Sequence, residues 1–221
     1  MNILAIDSGS EYLSLALQTS FAQHDILEKV GNKQSNYIID RINTLLLQNN
    51  LTVNQINLIA YNQGPGSFTG LRIGLSVALG MALGLEIKLV PIPAFAIFAY
   101  AQLGDVLVAL DARLNQVYLA GINTTTLDYF IQPQLVNPDK IPYYSNCTLI
   151  GNGFNLYHNQ LDVRWKELLP SNQDKYPSAL NMLALVNSGK YLAKSPNAAD
   201  LLYLRNKVAL DLHEQQQLQI K

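Results

Sequence analysis

The sequence predicts an α/β fold built by duplication, with a full first half and a reduced second half. Short apolar runs of strand length alternate with helix-length segments through the first hundred residues. A strand, an aspartate turn and a second strand then occur twice. Ala5, Asp7, Leu15 and Ala16 return as Ala109, Asp111, Leu119 and Ala120, each pair 104 apart (111 − 7 = 104). The chain of 221 residues is long enough for two small cores. These observations divide it into residues 1–102 and 103–221, with the tail from about 205 packing back on the first part.

Residues 2–6 read as a central strand, and residues 12–18 as its hairpin partner across a polar turn at Asp7-Ser8-Gly9-Ser10-Glu11. Over residues 35–47, Ile38, Ile39, Ile42, Leu45 and Leu46 recur at helical spacing. A strand follows at 56–61, then a glycine-rich turn at 64–70 and a helix capped by Ser67 or Thr69 that runs to about Gly84. Another strand is expected at 87–92, and Pro93 opens a helix through Ala101. In the second half Pro133, Pro138 and Pro142 predict loops, residues 178–186 a helix and 201–204 a strand. From Leu210 the sequence predicts a short helix or a disordered end.

Composition narrows the function classes. Hydrophobic residues make up 49% and charged residues 14%, against roughly 25% charged in an average domain. A surface short of charge suits a protein partly covered by a partner. The net charge of −1 offers no basic footprint for nucleic acid, so any tRNA contact is expected only through a complex. One cysteine, Cys147, suits a cytoplasmic protein, and no signal peptide or membrane span is expected. His24, His158 and His213 share no metal-ligand spacing. No nucleophile–base pair is legible, so no catalytic or metal residue is assigned.

The turn Asp7-Ser8-Gly9-Ser10 supplies a carboxylate, two hydroxyls and a glycine, which suit a phosphate with magnesium. A hairpin turn that needs Gly9 for its backbone explains the same residues. The duplicated arrangement resembles actin-like and sugar-kinase-like (ASKHA) proteins, which clasp nucleotide phosphates between two such loops. In the second copy, Asp111-Ala112-Arg113, an arginine stands where the first has Gly9. Weak binding of ATP or ADP with magnesium through Asp7, Ser8, Gly9 and Ser10 is therefore the most that is expected.

The string Gly64-Pro65-Gly66-Ser67-Phe68-Thr69-Gly70 fits neither the dinucleotide fingerprint nor the phosphate-loop pattern. Beyond it Gly70, Gly74, Ala78 and Ala82 repeat every four residues and leave one helix face nearly bare. Leu71, Ile73, Leu75, Leu79 and Leu83 supply bulk on the other side, and Arg72 is the only charge. The two helices are expected to form an interface, with Ile38, Ile42, Leu45, Gly70, Arg72, Gly74, Ala78 and Ala82 as its residues. It would serve a homodimer when the chain is alone, or a partner, one at a time.

Taken with Ile3-Leu4-Ala5-Ile6-Asp7, Val108-Ala109-Leu110-Asp111-Ala112-Arg113, Gly151-Asn152-Gly153 and Tyr203-Leu204-Arg205, the string from Gly64 to Gly74 resembles the TsaB family over nearly the whole chain. The resemblance implies an actin-like fold and a supporting role in tRNA modification. Its implied partners are TsaD, which transfers the threonylcarbamoyl group to the adenosine beside the anticodon, and the ATPase TsaE. TsaD carries a His-x-x-x-His metal pair that has no match here. The chain departs from the family at Gln34-Ser35, where a histidine is common, and at Asp7-Ser8-Gly9-Ser10, where Asp-Thr-Ser-Thr is common. The competing class is a small phosphotransferase of the same fold.

Overall fold

The computed structural model describes residues 1–166 and 176–205. The first sheet joins β1 (Ile3–Asp7), β2 (Tyr12–Gln18), β3 (Gln23–Lys29), β4 (Leu58–Gly64) and β5 (Lys88–Pro93) in the order β3-β2-β1-β4-β5. The second joins β6 (Asp105–Asp111), β7 (Val117–Asn123), β8 (Tyr129–Val136) and β9 (Thr148–Ile150) in the order β8-β7-β6-β9. In both sheets an antiparallel meander of three strands continues into a parallel neighbour, β4 beside β1 and β9 beside β6. Among the described residues the second sheet has four strands to the first sheet's five, so the duplication is visible as topology with the second copy the smaller.

Alternation along the strands sorts the apolar residues into layers. Leu4, Ile6, Leu13, Leu15 and Leu17 face α1 (Gln34–Gln48) and α2 (Phe68–Leu85), while Ile3, Ala5 and Ala16 face the opposite way. That second face meets α3 (Ala94–Ala99) and α6 (Ala179–Asn187), and on their far side Val106, Val108, Leu110, Ala120 and Ile122 of the second sheet. The outer face of the second sheet is closed by α4 (Asn152–Leu156) and α5 (Val163–Lys166), through Phe154 and the fully buried Trp165. Two helical pairs thus cover the outside, and α3 with α6 fills the space between the sheets.

These layers correct the repeat alignment. In the second strand of each hairpin the spacing of 104 holds: Leu15 and Leu119 face outward, and Ala16 and Ala120 face inward. In the first strand it fails. Ala5 faces the central helices, but Ala109, 104 positions on, faces outward. A spacing of 103 restores the match, pairing Ile3 with Val106 and Leu4 with Leu107 (106 − 3 = 103). The turn between β6 and β7 is therefore one residue longer than its counterpart, and Asp111 lies one step beyond the position of Asp7.

Three other expectations change. β3 was not expected, because Gln23-His24-Asp25-Ile26-Leu27-Glu28-Lys29 is polar and mostly exposed. Pro133, read as a loop signal, lies inside β8, an edge strand with register shifts, where a missing N–H costs no ladder partner. Residues 201–204 form no strand. Leu202 N–H donates to the Gln63 carbonyl (2.8 Å) as the segment runs along the end of β4. The expected tail from about 205 and His213 lie outside the described residues.

Candidate functional site

Residues at the C-terminal ends of β1, β4 and β6 line a cleft of about 780 Å³ between the two sheets, the position where open α/β folds bind ligands. One wall is made by Gly9, Ser10, Asn62, Pro65, Gly66 and Ser67, and the other by residues 110–114, Tyr118 and Asn152. Residues 201–205 run along its rim.

Asp7 ends β1 and is 1% exposed. Its Oδ1 accepts from the Gly9 N–H (2.8 Å) and from Asn62 Nδ2 (3.0 Å), while its buried Oδ2 has no partner. Burial raises the carboxyl pKa to about 6, against the lowering pull of those two donors. Asn62 is itself fixed, because its Oδ1 accepts from the Gly64 N–H (2.8 Å). Ser8 is equally enclosed and donates its hydroxyl to the Gly70 carbonyl (2.8 Å).

The glycines of α2 and of the turn before it explain this enclosure. A Cβ on Gly70 would fall on the Ser8 carbonyl oxygen, one on Gly74 on the Ser8 hydroxyl, and one on Gly66 on the Gly9 carbonyl oxygen. Ser67 caps α2, accepting from the Gly70 N–H (3.3 Å), and its own N–H donates to the Gly9 carbonyl (2.7 Å). The bare stripe is therefore a seam between α2 and the first turn of the same chain. This overturns the interface assignment of Gly70, Gly74, Ala78 and Ala82, all buried within the fold. Ile42 and Leu45 are at most 3% exposed in the core beneath α1 and are corrected with them, while Ile38, 1% exposed, lies at the floor of the groove between α1 and α2. Arg72 is the exposed member of that set, with its guanidinium 3.7 Å from the Phe68 ring centroid.

A magnesium nucleotide held in the manner of the fold class does not fit these residues. Asp7 and Ser8, two of the four residues assigned to it, are buried, with Asp7 Oδ1 and the Ser8 hydroxyl bonded within the fold and neither residue bordering the cleft. The Gly9 N–H faces Asp7 instead of the cleft. Gly9 and Ser10 do border the cleft. On the other wall Asp111 Oδ1 accepts from the Arg113 N–H (2.8 Å) and from the Tyr157 hydroxyl (2.8 Å). No group of three His, Cys, Asp or Glu side chains that could hold a metal occurs among the described residues.

Sequence reasoning missed three residues that fix this geometry. Gln34, where a histidine was the family expectation, is buried and donates Nε2 to the carbonyls of Ser10 and Gly31 (both 2.6 Å). Asn62 and Tyr157 hold the two aspartates. A polar residue at a strand end or helix start was the only available signal, and it is common on any surface.

The two sheets of one repeated topology, with a cleft at their strand ends, define an actin-like, sugar-kinase-like protein. The family described as TsaD, tRNA N6-adenosine threonylcarbamoyltransferase, matches residues 26–208. The tRNA threonylcarbamoyladenosine biosynthesis protein TsaB of Escherichia coli K12 is 31% identical, covering 95% of this chain and 96% of its own. The TsaB protein of Haemophilus influenzae is 29% identical over 94% and 95%. A solved structure of YeaZ from Pseudomonas aeruginosa matches the fold with a TM-score of 0.79 at 22% identity, over 92% of this chain and 99% of that one. The chain belongs to the TsaB family of tRNA threonylcarbamoyladenosine biosynthesis proteins.

Proposed function

We propose that the chain is a non-catalytic subunit that binds and supports TsaD in the threonylcarbamoyl modification of tRNA adenosine beside the anticodon. The observation that carries this reading is the uncovered side of α2. The helix is apolar on most sides, yet only its small-residue stripe and Leu71 are buried, and such a helix needs cover on its other side too. Phe68 and Leu83 are 49% and 59% exposed, and Ile73 and Val77 are half-buried. With Ser35, Ile38 and Ile39 of α1, the outer residues of α2 from Phe68 to Val77, Arg72 and Ile73 among them, border an apolar groove of about 440 Å³. A helical partner laid in this groove would bury those side chains. TsaD is the proposed occupant in the working complex, and a second copy of the chain is the proposed occupant when TsaD is absent.

The absence of catalysis in this reading is supported by Asp7 and Ser8, which the fold holds away from the cleft. TsaE and tRNA are proposed to join through TsaD, in the cytoplasm.

The test is reconstitution of tRNA modification with Val77→Asp. A charge in the groove should leave folding intact, weaken TsaD binding by tenfold or more, and lower modification at limiting subunit concentration. Excess variant should restore the rate. Unchanged TsaD binding by the variant would sink the groove assignment, and threonylcarbamoyl transfer by this chain without TsaD would sink the non-catalytic reading.

A further inference from the structure

The segment that follows α6 crosses from one sheet to the other and is tied at both ends. Lys194 bridges to Leu89 of β5 through two backbone hydrogen bonds (2.7 and 2.9 Å). At Asp200 the backbone carbonyl accepts from the Tyr61 hydroxyl (2.8 Å), and the carboxylate accepts from Gln63 Nε2 (2.9 Å). Leu202 N–H then meets the Gln63 carbonyl, and the Tyr203 hydroxyl accepts from the Arg72 guanidinium (3.3 and 3.4 Å). All these partners belong to the first sheet or to α2. Two residues later the allegiance changes. Arg205 Nη2 donates to the carbonyl of Ala112 (2.9 Å) and that of Arg113 (3.4 Å), on the far side of the cleft.

Those carbonyls belong to the long β6–β7 turn, where Arg113, Leu114 and Asn115 have φ of 63°, 52° and 57°. Left-handed conformation is ordinary for one asparagine but costly for consecutive non-glycine residues, and a bulky Leu114 exposes 76% of its surface there. Such a turn persists only where its surroundings hold it. Its holders include the backbone bonds from the Ala112 N–H to the Gln116 carbonyl (3.0 Å) and from the Gln116 N–H to the Arg113 carbonyl (3.1 Å), the Asp111 carboxylate on the Arg113 N–H, the paired amides of Asn115 and Gln160 (2.6 and 3.0 Å), and Arg205, which reaches the turn from across the cleft.

We infer that residues 200–205 form a clamp across the cleft, in which Arg205 is the positioning residue for the β6–β7 turn. Anchored on β4 and α2, the segment carries a cation to two turn carbonyls and so fixes the distance between the cleft walls. Releasing Arg205 lets the turn relax and the walls separate, while the layers beneath stay packed. All of the clamp's contacts lie within this chain, and its Tyr203 rests on Arg72 and beside Phe68, which also border the α2 groove.

Hydrogen–deuterium exchange on the full chain tests it. A charge-assisted hydrogen bond holds a group by enough to slow local opening about tenfold. Arg205→Ala should raise exchange in peptides covering residues 110–117 and 200–204 by that factor. Exchange in β1, β4 and α1 should not move. Arg205→Lys, which keeps the charge but not the fork, should recover part of the protection. In a chain carrying Leu114→Gly, which accepts positive φ without strain, the removal of Arg205 should matter less. Unchanged exchange at residues 110–117 in Arg205→Ala would overturn the proposal. An equal rise in β1 and β4 would overturn it too, because the residue would then support global stability instead of the cleft.

Discussion

At Asp7, burial and the unpartnered Oδ2 combine into a pH signature. The folded carboxyl titrates near pH 6, whereas an unfolded one titrates near 3.8. Between those values the folded state holds the proton that the unfolded chain has released. Stability therefore falls as pH rises through about 4 to 6, and the cost, on the order of 3 kcal/mol, is fully present above 6. Asp7→Asn keeps an oxygen acceptor and cannot ionise. Its melting temperature should gain on that of the parent between pH 4.5 and 7.5, and a constant gap would show that Asp7 carries no such cost. Beside it, Gly74→Leu forces a side chain onto Ser8 and should lower stability by about 1–3 kcal/mol or more. The exposed Ser76→Ala should do nothing measurable. Excess Gly74→Leu protein should not rescue its function, because the contact it breaks lies within one chain. The glycine stripe was legible as a close approach, but the partner was not. A bare helix face admits any backbone, whether a neighbouring helix or, as here, a turn 62 residues earlier in the same chain.

The two sides of α2 make the same point at the scale of an element. Val77 and Ala78 are adjacent, but Ala78 is fully buried against the sheet and Val77 borders the outer groove. Ala78→Asp should abolish or severely lower the melting transition, since an unpaired carboxylate in that core is prohibitive. Val77→Asp should melt close to the parent and fail in association. Equal melting of the two variants would mean that α2 is not seated as described. Elements with a strong period were readable from the sequence: β1, β2, α1, α2 and α6 all lie where their apolar residues put them. β3 was not, because an exposed strand buries almost nothing and leaves no alternation to read. β8 was hidden by Pro133, which marks a loop in most contexts and an edge strand in this one. The tie at residues 200–205 depends on single hydrogen bonds to distant residues, and no local pattern announces such bonds.

For the molecule as a whole, the duplicated topology was legible but its register was not, because one inserted residue in the β6–β7 turn shifts the first strand while sparing the second. The shift bears on nucleotide binding, since it denies the cleft a matched pair of aspartates. Calorimetry with ATP and magnesium should find binding no tighter than about millimolar, a free energy of only about 4 kcal/mol. Micromolar affinity with turnover would revive the phosphotransferase reading. The four outermost strands have a separate consequence for how copies of this protein meet. β3 presents His24, Asp25, Glu28 and Lys29, and β8 is interrupted by proline and shifted register. β9 has three residues, and β5 already has Lys194 paired to its flank. None of these borders offers a long, flat row of open backbone groups to a newcomer. Growth by adding strand to strand, the usual route to fibres and exchanged segments, is closed at each one. Crowded copies should therefore associate through helices, reversibly, and stay free of cross-β order even when concentrated.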